Sequence, residues 1–178
     1  HYTFDDTLAN DKAEGKSAAM EKWHMGGASD TAATYEAGVK GKAVRTLGEK
    51  TDGIKLDATL SQADYTISLW VKPYDLKSKY SPVLYAGKNA NSGLNWFSCY
   101  NSPDTFLLRS VGNGWSNKKE SDGIIDALIV GKWSMMTLAM KGDQATMYVN
   151  GKVAWEGTLE EYFVAQKTAP IYLATCGY

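Results

Sequence analysis

The stretch that decides the fold is Asp143-Gln-Ala-Thr-Met-Tyr-Val-Asn-Gly-Lys-Val-Ala-Trp-Glu-Gly157. It contains two runs in which apolar and polar residues alternate, 145–149 and 152–155, joined by Asn150 and Gly151. Asn-Gly readily supplies the two positive φ angles that a two-residue type I′ turn requires. The stretch therefore predicts a β-hairpin. Residues 133–140 form another strand-length run just upstream, so three consecutive antiparallel strands are expected.

The clearest strand in the first half covers residues 64–73, where a proline ends the run. Successive side chains of a strand point to opposite faces, so the alternating residues divide into two sets. One face takes Tyr65, Ile67, Leu69 and Val71, and the other takes Thr66, Ser68, Trp70 and Lys72. Within such strong strand patterns we expect the large rings of Trp70 and Trp133 to fill the core.

The rest of the chain also consists mainly of short strand-like runs between turns rich in Gly and Asn. Strands are expected at residues 1–4, 41–47, 54–56, 82–87, 94–101, 105–111 and 170–175. Residues 112–123 read as a long polar loop, 124–130 as a strand or short helix, and 160–166 as one helical turn. The fold class is therefore all-β, a two-sheet antiparallel β-sandwich.

Length and composition narrow the class of protein. The 178 residues contain no repeat and no low-complexity linker, so one domain over residues 1–178 is expected. The net charge is -1 with no basic block, which argues against nucleic acid, and no apolar run is long enough for a membrane span. The two cysteines, Cys99 and Cys176, form either one disulfide or two free thiols, and we favour free thiols.

Six motifs in order resemble one family. They are Tyr2-Thr3-Phe4-Asp5, Gly41-Lys42-Ala43, Gly53-Ile54-Lys55-Leu56, the strand at residues 65–72, Trp133-Ser134-Met135-Met136-Thr137 and Met147-Tyr148-Val149-Asn150-Gly151-Lys152. Together they resemble the laminin G-like, concanavalin A-like jelly-roll domains appended to bacterial glycosidases and surface proteins. The resemblance implies a further strand after residues 170–175 that pairs with the first strand. We therefore expect this chain to lack its last strand and to be cut from a larger protein.

Catalytic readings find little support in the sequence. The chain has only two histidines, His1 and His24, and no Gly-x-Ser-x-Gly elbow for a catalytic serine. Related sandwich glycosidases need carboxylates that alternate on one strand and face a cleft. Glu160 and Glu161 are adjacent, and Glu120 lies beside lysines in a polar segment. A non-catalytic module is expected, and the resemblance allows a glycoside hydrolase as its parent protein.

A carbohydrate site is the favoured binding chemistry, because sugar rings stack on aromatic faces and their hydroxyls pair with polar side chains. With Phe97 and Cys99 placed toward the core, Trp96 and Tyr100 share the outer face. The same logic places Arg109 outward on the next strand. The predicted carbohydrate-binding residues are Trp96, Tyr100, Arg109, Asn113 and Trp115, with loop residue Trp115 foremost. Burial of these aromatic residues under long loops is the alternative.

A calcium ion is the one cofactor that the sequence and the resemblance suggest. Laminin G-like relatives often hold one calcium ion, and the oxygen-rich loop with Asp5, Asp6 and Asp11 offers hard ligands for it. The alternative is a turn whose acidic side chains cap their own backbone. Any such ion is expected to have a structural role.

These observations lead to one functional expectation. The chain is a non-catalytic carbohydrate-binding module of a secreted glycoside-active or cell-surface bacterial protein, located outside the cell. Its partners are a carbohydrate ligand and the neighbouring domains of its parent. The alternative is a protein-binding, adhesive or purely structural laminin G-like module that orients a catalytic neighbour.

Overall fold

A computed structural model describes residues 1–12, 14–46, 51–60, 64–74, 82–89, 92–98, 105–111, 118–120, 124–125, 128–158 and 169–175. For residues 88–89, 92–98, 105–111, 118–120 and 124–125 the description covers the backbone and its pairing. The strands form an eight-stranded sheet, a four-stranded sheet and a separate two-stranded hairpin. Within the described residues, no helix has the length and apolar character needed to cross a membrane.

The strands are numbered in chain order, with a short 3-10 helix (Trp23–Met25) after the first. They are β1 (Ala19–Glu21), β2 (Thr34–Ala37), β3 (Lys42–Arg45), β4 (Gly53–Thr59), β5 (Tyr65–Val71), β6 (Pro82–Asn89), β7 (Ser92–Ser98), β8 (Thr105–Val111), β9 (Lys118–Glu120), β10 (Ile124–Ile125), β11 (Ser134–Lys141), β12 (Gln144–Val149), β13 (Lys152–Thr158) and β14 (Pro170–Leu173).

The small sheet contains the predicted hairpin and has the order β13-β12-β11-β5. At the turn between β12 and β13, Asn150 and Gly151 adopt φ values of 52° and 78°, as a type I′ turn requires. Hydrogen bonds also join this turn to β11. The Asn150 side chain accepts a hydrogen bond from the Met135 amide at 2.9 Å, and the Asn150 amide donates to the Met135 carbonyl at 2.8 Å. The three consecutive antiparallel strands predicted from the sequence are confirmed.

The large sheet has the order β1-β4-β14-β6-β7-β8-β10, and β9 also pairs with β8. The strand latest in the chain, β14, lies between β4 and β6 and is antiparallel to both. All pairings in both sheets are antiparallel. The all-β sandwich is therefore confirmed.

One hydrophobic core lies between the sheets. The small sheet supplies Met136, Leu138 and Met147, none of which has exposed surface, and the large sheet supplies Leu84 and Ile171. Along β11 and β12 every second residue is buried. This is the pattern expected when one face of a sheet packs on another and the other face does not.

The first residues of the chain do not form the predicted strand. Phe4 and Asp6 both have a φ of 57°, in the left-handed region, which an extended strand cannot contain. The segment instead folds on itself, with the Asp11 amide donating to the His1 carbonyl and the Ala18 amide to the Leu8 carbonyl. The strand prediction for residues 1–4 is wrong because these local hydrogen bonds replace a sheet ladder.

The structure also corrects two other predictions. The polar segment 112–123 is not loop throughout, since β9 within it pairs with β8. Trp70 does not fill the core, because its side chain is on the outer face of β5 and is 50% exposed. Cys99, Cys176 and the helical turn at residues 160–166 lie outside the described residues.

Candidate functional site

A row of directly opposed residues crosses the large sheet. In antiparallel strands, opposed residues lie on the same face. The row runs through Ala19, Lys55, Tyr172, Tyr85, Asn95, Arg109 and Glu120, one residue from each of seven strands. The rows on either side hold core residues such as Leu84 and Ile171. This row therefore lies on the face turned away from the core, and it is called the polar row below.

Two buried tyrosines form the floor of the polar row. The rings of Tyr85 and Tyr172 stack with centroids 6.2 Å apart, and they are 0% and 6% exposed. Met25, from the 3-10 helix, packs against the pair. Burial raises the pKa of the Tyr172 hydroxyl, and the negative charge of Glu21 adds to that rise. These rings stiffen the face, but their own surfaces are not available to a ligand.

Charged groups border this floor. The Lys55 ammonium lies 5.9 Å from the centre of the Tyr172 ring, within the range of a cation–π contact. Glu21 is 4% exposed, and its carboxylate accepts a hydrogen bond from the Gly27 amide at 2.9 Å. Asn95 and Arg109 occupy the same row by strand pairing, three and four strands from Lys55. Such groups can bind hydroxyls or a carboxylate.

The structure only partly locates the predicted carbohydrate-binding residues. Tyr100, Asn113 and Trp115 lie outside the described residues. Arg109 is in the polar row, opposite Asn95. Trp96 is in the adjacent row, opposite the core residue Leu84.

The predicted grouping of Trp96 with Arg109 on one outer face does not agree with the strand register. The sequence placed Phe97 and Cys99 inward, whereas pairing with β6 puts Trp96 in the row of Leu84. A shift of one residue exchanges the two faces of a strand, and nothing within β7 alone reveals it. Arg109 keeps its predicted outer position by register. A binding role for each of the five residues remains a prediction.

Lys55, Tyr172 and Glu21 were not singled out from the sequence. Each lies in a strand, and its alternation shows which neighbours share its face. That they share a sheet face with Asn95 and Arg109 depends on β14 lying between β4 and β6. Pairing of strands so distant in the chain leaves no local signal.

The three acidic residues predicted to bind calcium contact other groups of the chain: Asp5 and Asp6 both contact Lys42, and Asp11 contacts His1. Asp5 accepts a hydrogen bond from the Lys42 amide at 3.0 Å, and the Asp6 carboxylate lies 3.1 Å from the Lys42 ammonium. The Asp11 carboxylate lies 2.7 Å from Nδ1 of His1. Across the described residues, no three acidic, histidine or cysteine side chains are placed to hold a metal. The calcium ion remains a prediction.

A second polar cluster fastens the β2–β3 hairpin beside the small sheet. Glu36 accepts a hydrogen bond from the Tyr74 hydroxyl, and its carboxylate lies 3.1 Å from the Lys72 ammonium. The hydrogen bond from Tyr74 has the larger effect, and together with the Lys72 contact it holds the pKa of Glu36 below its ordinary value. The Arg45 guanidinium lies 4.9 Å from the Tyr74 ring centre. Because these groups satisfy one another, the cluster is best explained as an attachment of the hairpin.

Comparisons with known proteins agree with the fold. A family model, Laminin G 3, described as the concanavalin A-like lectin/glucanases superfamily, matches residues 48–176. No curated protein sequence matches significantly. Among solved structures, the chain is similar to domain 4 of AbnA, a GH43 extracellular arabinanase from Geobacillus stearothermophilus, in complex with arabinotriose. The TM-score is 0.80 at 21% identity, over 99% of this chain and 82% of that one.

Two further solved structures have the same overall fold. Carbohydrate-binding module CBM66 from Bacillus subtilis is matched with a TM-score of 0.51 at 16% identity, over 81% of this chain and 89% of that one. The CBM40 of a Ruminococcus gnavus sialidase, bound to α2,3-sialyllactose, is matched with a TM-score of 0.50 at 10% identity. That match covers 65% of this chain and 67% of the other.

Proposed function

Because the chain belongs to the Laminin G 3 family of the concanavalin A-like lectin/glucanases superfamily, we propose that it is a non-catalytic carbohydrate-binding module. The observation that carries the proposal is the match over 99% of the chain to a domain whose structure contains arabinotriose. Two carbohydrate-binding modules with the same fold support it. The parent would be a secreted glycoside-active or cell-surface bacterial protein, with this domain outside the cell and beside other domains.

The polar row gives the proposed site its chemistry. Arg109 and Asn95 occupy neighbouring strands of a face whose floor is fixed by two buried tyrosines. Asn113 and Trp115 follow β8 directly in sequence. An aromatic ring beside amide and cationic groups suits a sugar, and Arg109 would allow a sugar carboxylate to bind as well. Binding by one small face is expected to be weak and to gain strength through tethering to the parent protein.

The test is isothermal titration calorimetry of the isolated domain with arabinotriose, linear arabinan and α2,3-sialyllactose. We expect at least one of these sugars to bind. Arg109→Ala and Trp115→Ala should each weaken that binding about tenfold, the equivalent of about 1.4 kcal/mol. Lys40 is an exposed residue of the β2–β3 turn. Lys40→Ala is the matched control and should bind with the affinity of the unsubstituted domain.

The outcomes separate the candidate functions. Full affinity in both variants would disprove the site, and no binding of any of the three sugars would argue for a protein-binding or structural module instead. Incubation with arabinan should release no reducing ends. Release that persists in a highly purified preparation would contradict the non-catalytic assignment.

A further inference from the structure

The outer face of the small sheet carries aromatic and hydroxyl groups that neither the core nor the proposed site uses. Strand pairing arranges its residues in rows, and the three rows nearest Trp70 are described here, while a further row of Lys141, Gln144 and Thr158 lies at the far margin. The first row is Trp70 and Met135, the second is Ser68, Thr137, Tyr148 and Val153, and the third is Thr66, Ala139, Thr146 and Glu156. Their neighbours along each strand point into the core, as the alternating burial of β5, β11 and β12 shows. These three rows are called the hydroxyl face.

The hydroxyl face combines an exposed indole ring with aligned hydroxyls. Trp70 is 50% exposed, and Val153 is 55% exposed at the other end of the rows. Between them, the Ser68 and Thr137 hydroxyl oxygens lie 2.9 Å apart and form a hydrogen bond across the strands. Each hydroxyl can both donate and accept, so a bonded pair still offers acceptor sites to a ligand.

Charge is confined to the margins of this face. Glu156 ends the third row, and its carboxylate accepts a hydrogen bond from the Thr146 hydroxyl at 3.4 Å. Lys72 follows β5, where its ammonium lies 3.1 Å from Glu36. The first two rows contain no ionisable side chain other than the phenol of Tyr148. A ligand that covers them would meet a neutral surface.

From this combination we propose that the hydroxyl face is a second carbohydrate-binding surface, which takes a neutral oligosaccharide chain. The apolar face of a sugar ring would stack on the Trp70 indole, and its hydroxyls would bond to Ser68 and Thr137. The strands are continuously paired here, so these groups are held in place before the ligand arrives.

A protein partner fits the same face less well. Protein interfaces are depleted in Ser and Ala, and their cores are more apolar than the surrounding surface. The centre of the hydroxyl face is instead Ser68, Thr137, Thr66 and Ala139. An anionic sugar also fits poorly, because no cation lies within the first two rows. Neutral carbohydrate is the ligand class whose chemistry matches.

The inference goes beyond the function proposed above, since it uses neither Arg109 nor Trp115. The polar row and the hydroxyl face belong to different sheets and both face away from the shared core. Two binding faces on opposite sides of one domain cannot easily hold neighbouring sugars of one short chain. They would instead allow the domain to bridge two polysaccharide chains, which raises retention on insoluble material through multivalency.

The experiment is affinity gel electrophoresis of the domain through linear arabinan, xylan and mixed-linkage β-glucan. The test variant is Trp70→Thr, which keeps a strand-favouring residue and removes the ring. The matched control is Val39→Ala, since Val39 is also 50% exposed but lies in the β2–β3 turn. Ser68→Ala is a second test that leaves Trp70 intact. Circular dichroism checks the fold of each variant.

We expect Trp70→Thr to reduce the affinity for at least one polysaccharide about fivefold or more, and Val39→Ala to leave it unchanged. Ser68→Ala should reduce it by a smaller factor. Adding Trp115→Ala to Trp70→Thr should lower retention further than either change alone. An unchanged affinity in Trp70→Thr, or an equal loss in Val39→Ala, would overturn the inference.

The same gels, run also with Arg109→Ala and Trp115→Ala, and the calorimetry with α2,3-sialyllactose together separate this inference from the proposed function. A loss only in Arg109→Ala and Trp115→Ala would retain the polar-row site and overturn the second surface. A loss only in Trp70→Thr would do the reverse. If α2,3-sialyllactose binds and no neutral polysaccharide does, the proposed second surface is wrong, whereas the proposed carbohydrate-binding function is retained. Absence of all binding overturns both.

Discussion

The outer faces of the two sheets differ in how far they are covered. On the large sheet, Tyr85 and Tyr172 point away from the core, yet they are only 0% and 6% exposed. On the small sheet, Trp70 and Val153 also point away from the core and are about half exposed. Alternation along a strand therefore identifies the residues on the outer face, but it does not tell whether that face is in contact with water.

The segment after β1 explains part of this difference. Its 3-10 helix brings Met25 against the two tyrosines. Asp52 holds the segment in place by accepting hydrogen bonds from Ser29, from Thr31 at 2.8 Å and from the Trp23 amide at 3.3 Å. On the small sheet, the β2–β3 hairpin attaches through Glu36 to Lys72, just beyond β5, and it leaves Trp70 and Val153 about half exposed.

The largest expected effect comes from the same substitution on each face. Tyr85→Ala should lower the free energy of unfolding by about 3–5 kcal/mol, because it leaves a cavity under a covered face. Tyr148→Ala, on the outer face of the small sheet, should cost only about 1 kcal/mol. Urea denaturation at 25 °C measures both. Equal losses would mean that the two faces are covered to the same extent.

A smaller effect is expected where β4 meets β14. A Cβ atom on Gly53 would lie 2.5 Å from the Leu173 carbonyl oxygen and 2.6 Å from Cβ of Thr175. Gly53→Ala should therefore force the two strands apart and cost about 1–3 kcal/mol. Thermal unfolding followed by circular dichroism would reveal the loss. An unchanged melting temperature would show that β4 and β14 can move apart to accommodate the added methyl group without a loss of stability.

Trp70→Thr should change stability least among these substitutions, by less than about 1 kcal/mol, since half of the ring is already in water. Val153→Thr is its control on the same face. A loss of several kcal/mol on urea denaturation would indicate that Trp70 stabilises the fold and would weaken its assignment to ligand binding.

The attachment of the covering segment should depend on pH. Hydrogen bonds from Ser29 and then Thr31 hold the pKa of Asp52 below its ordinary value. The unfolded chain, with a pKa of about 3.9, takes up the proton first as the pH falls. The stabilisation is therefore complete well above that value and is lost as the pH falls through the lower folded-state pKa.

Asp52→Asn should accordingly flatten the dependence of melting temperature on pH between about 5 and 3. Asp143→Asn, at the exposed turn before β12, serves as the control. Its melting temperature should depend on pH as that of the unsubstituted domain does. An identical slope in Asp52→Asn and the parent would refute the role of Asp52 in holding the segment.

The sequence predicted most of the strands correctly, because their signals are local. Asn150-Gly151 determines a turn by its φ angles, and the alternation over residues 65–71 matches the observed burial. The prediction failed at the start of the chain, where hydrogen bonds within the segment replace a sheet ladder. Residues 1–4 have a strand-like composition, but Phe4 and Asp6 adopt positive φ as the segment folds on itself.

The candidate site was harder to predict than the fold. Strand pairing puts Arg109 opposite Asn95 in the polar row, whereas it puts Trp96 opposite Leu84 in the adjacent row, so the predicted grouping of the two depended on an assumed register. Trp70 was expected in the core because large rings usually are buried. The residues that share its face of β5 do not indicate that this face is exposed to water. Membership in a site depends on strand order, which period-two patterns leave undetermined.

The position of β14 also has a consequence for the order of folding. During synthesis, β1 with β4 and β6 with β7 and β8 can form as two separate pieces, since each contains strands close in sequence. Neither piece can join the other until β14 has been made, because β14 supplies the edges that both pair with. We therefore expect a slow closing step with high contact order, during which two unpaired strand edges are exposed to chaperones and to other chains.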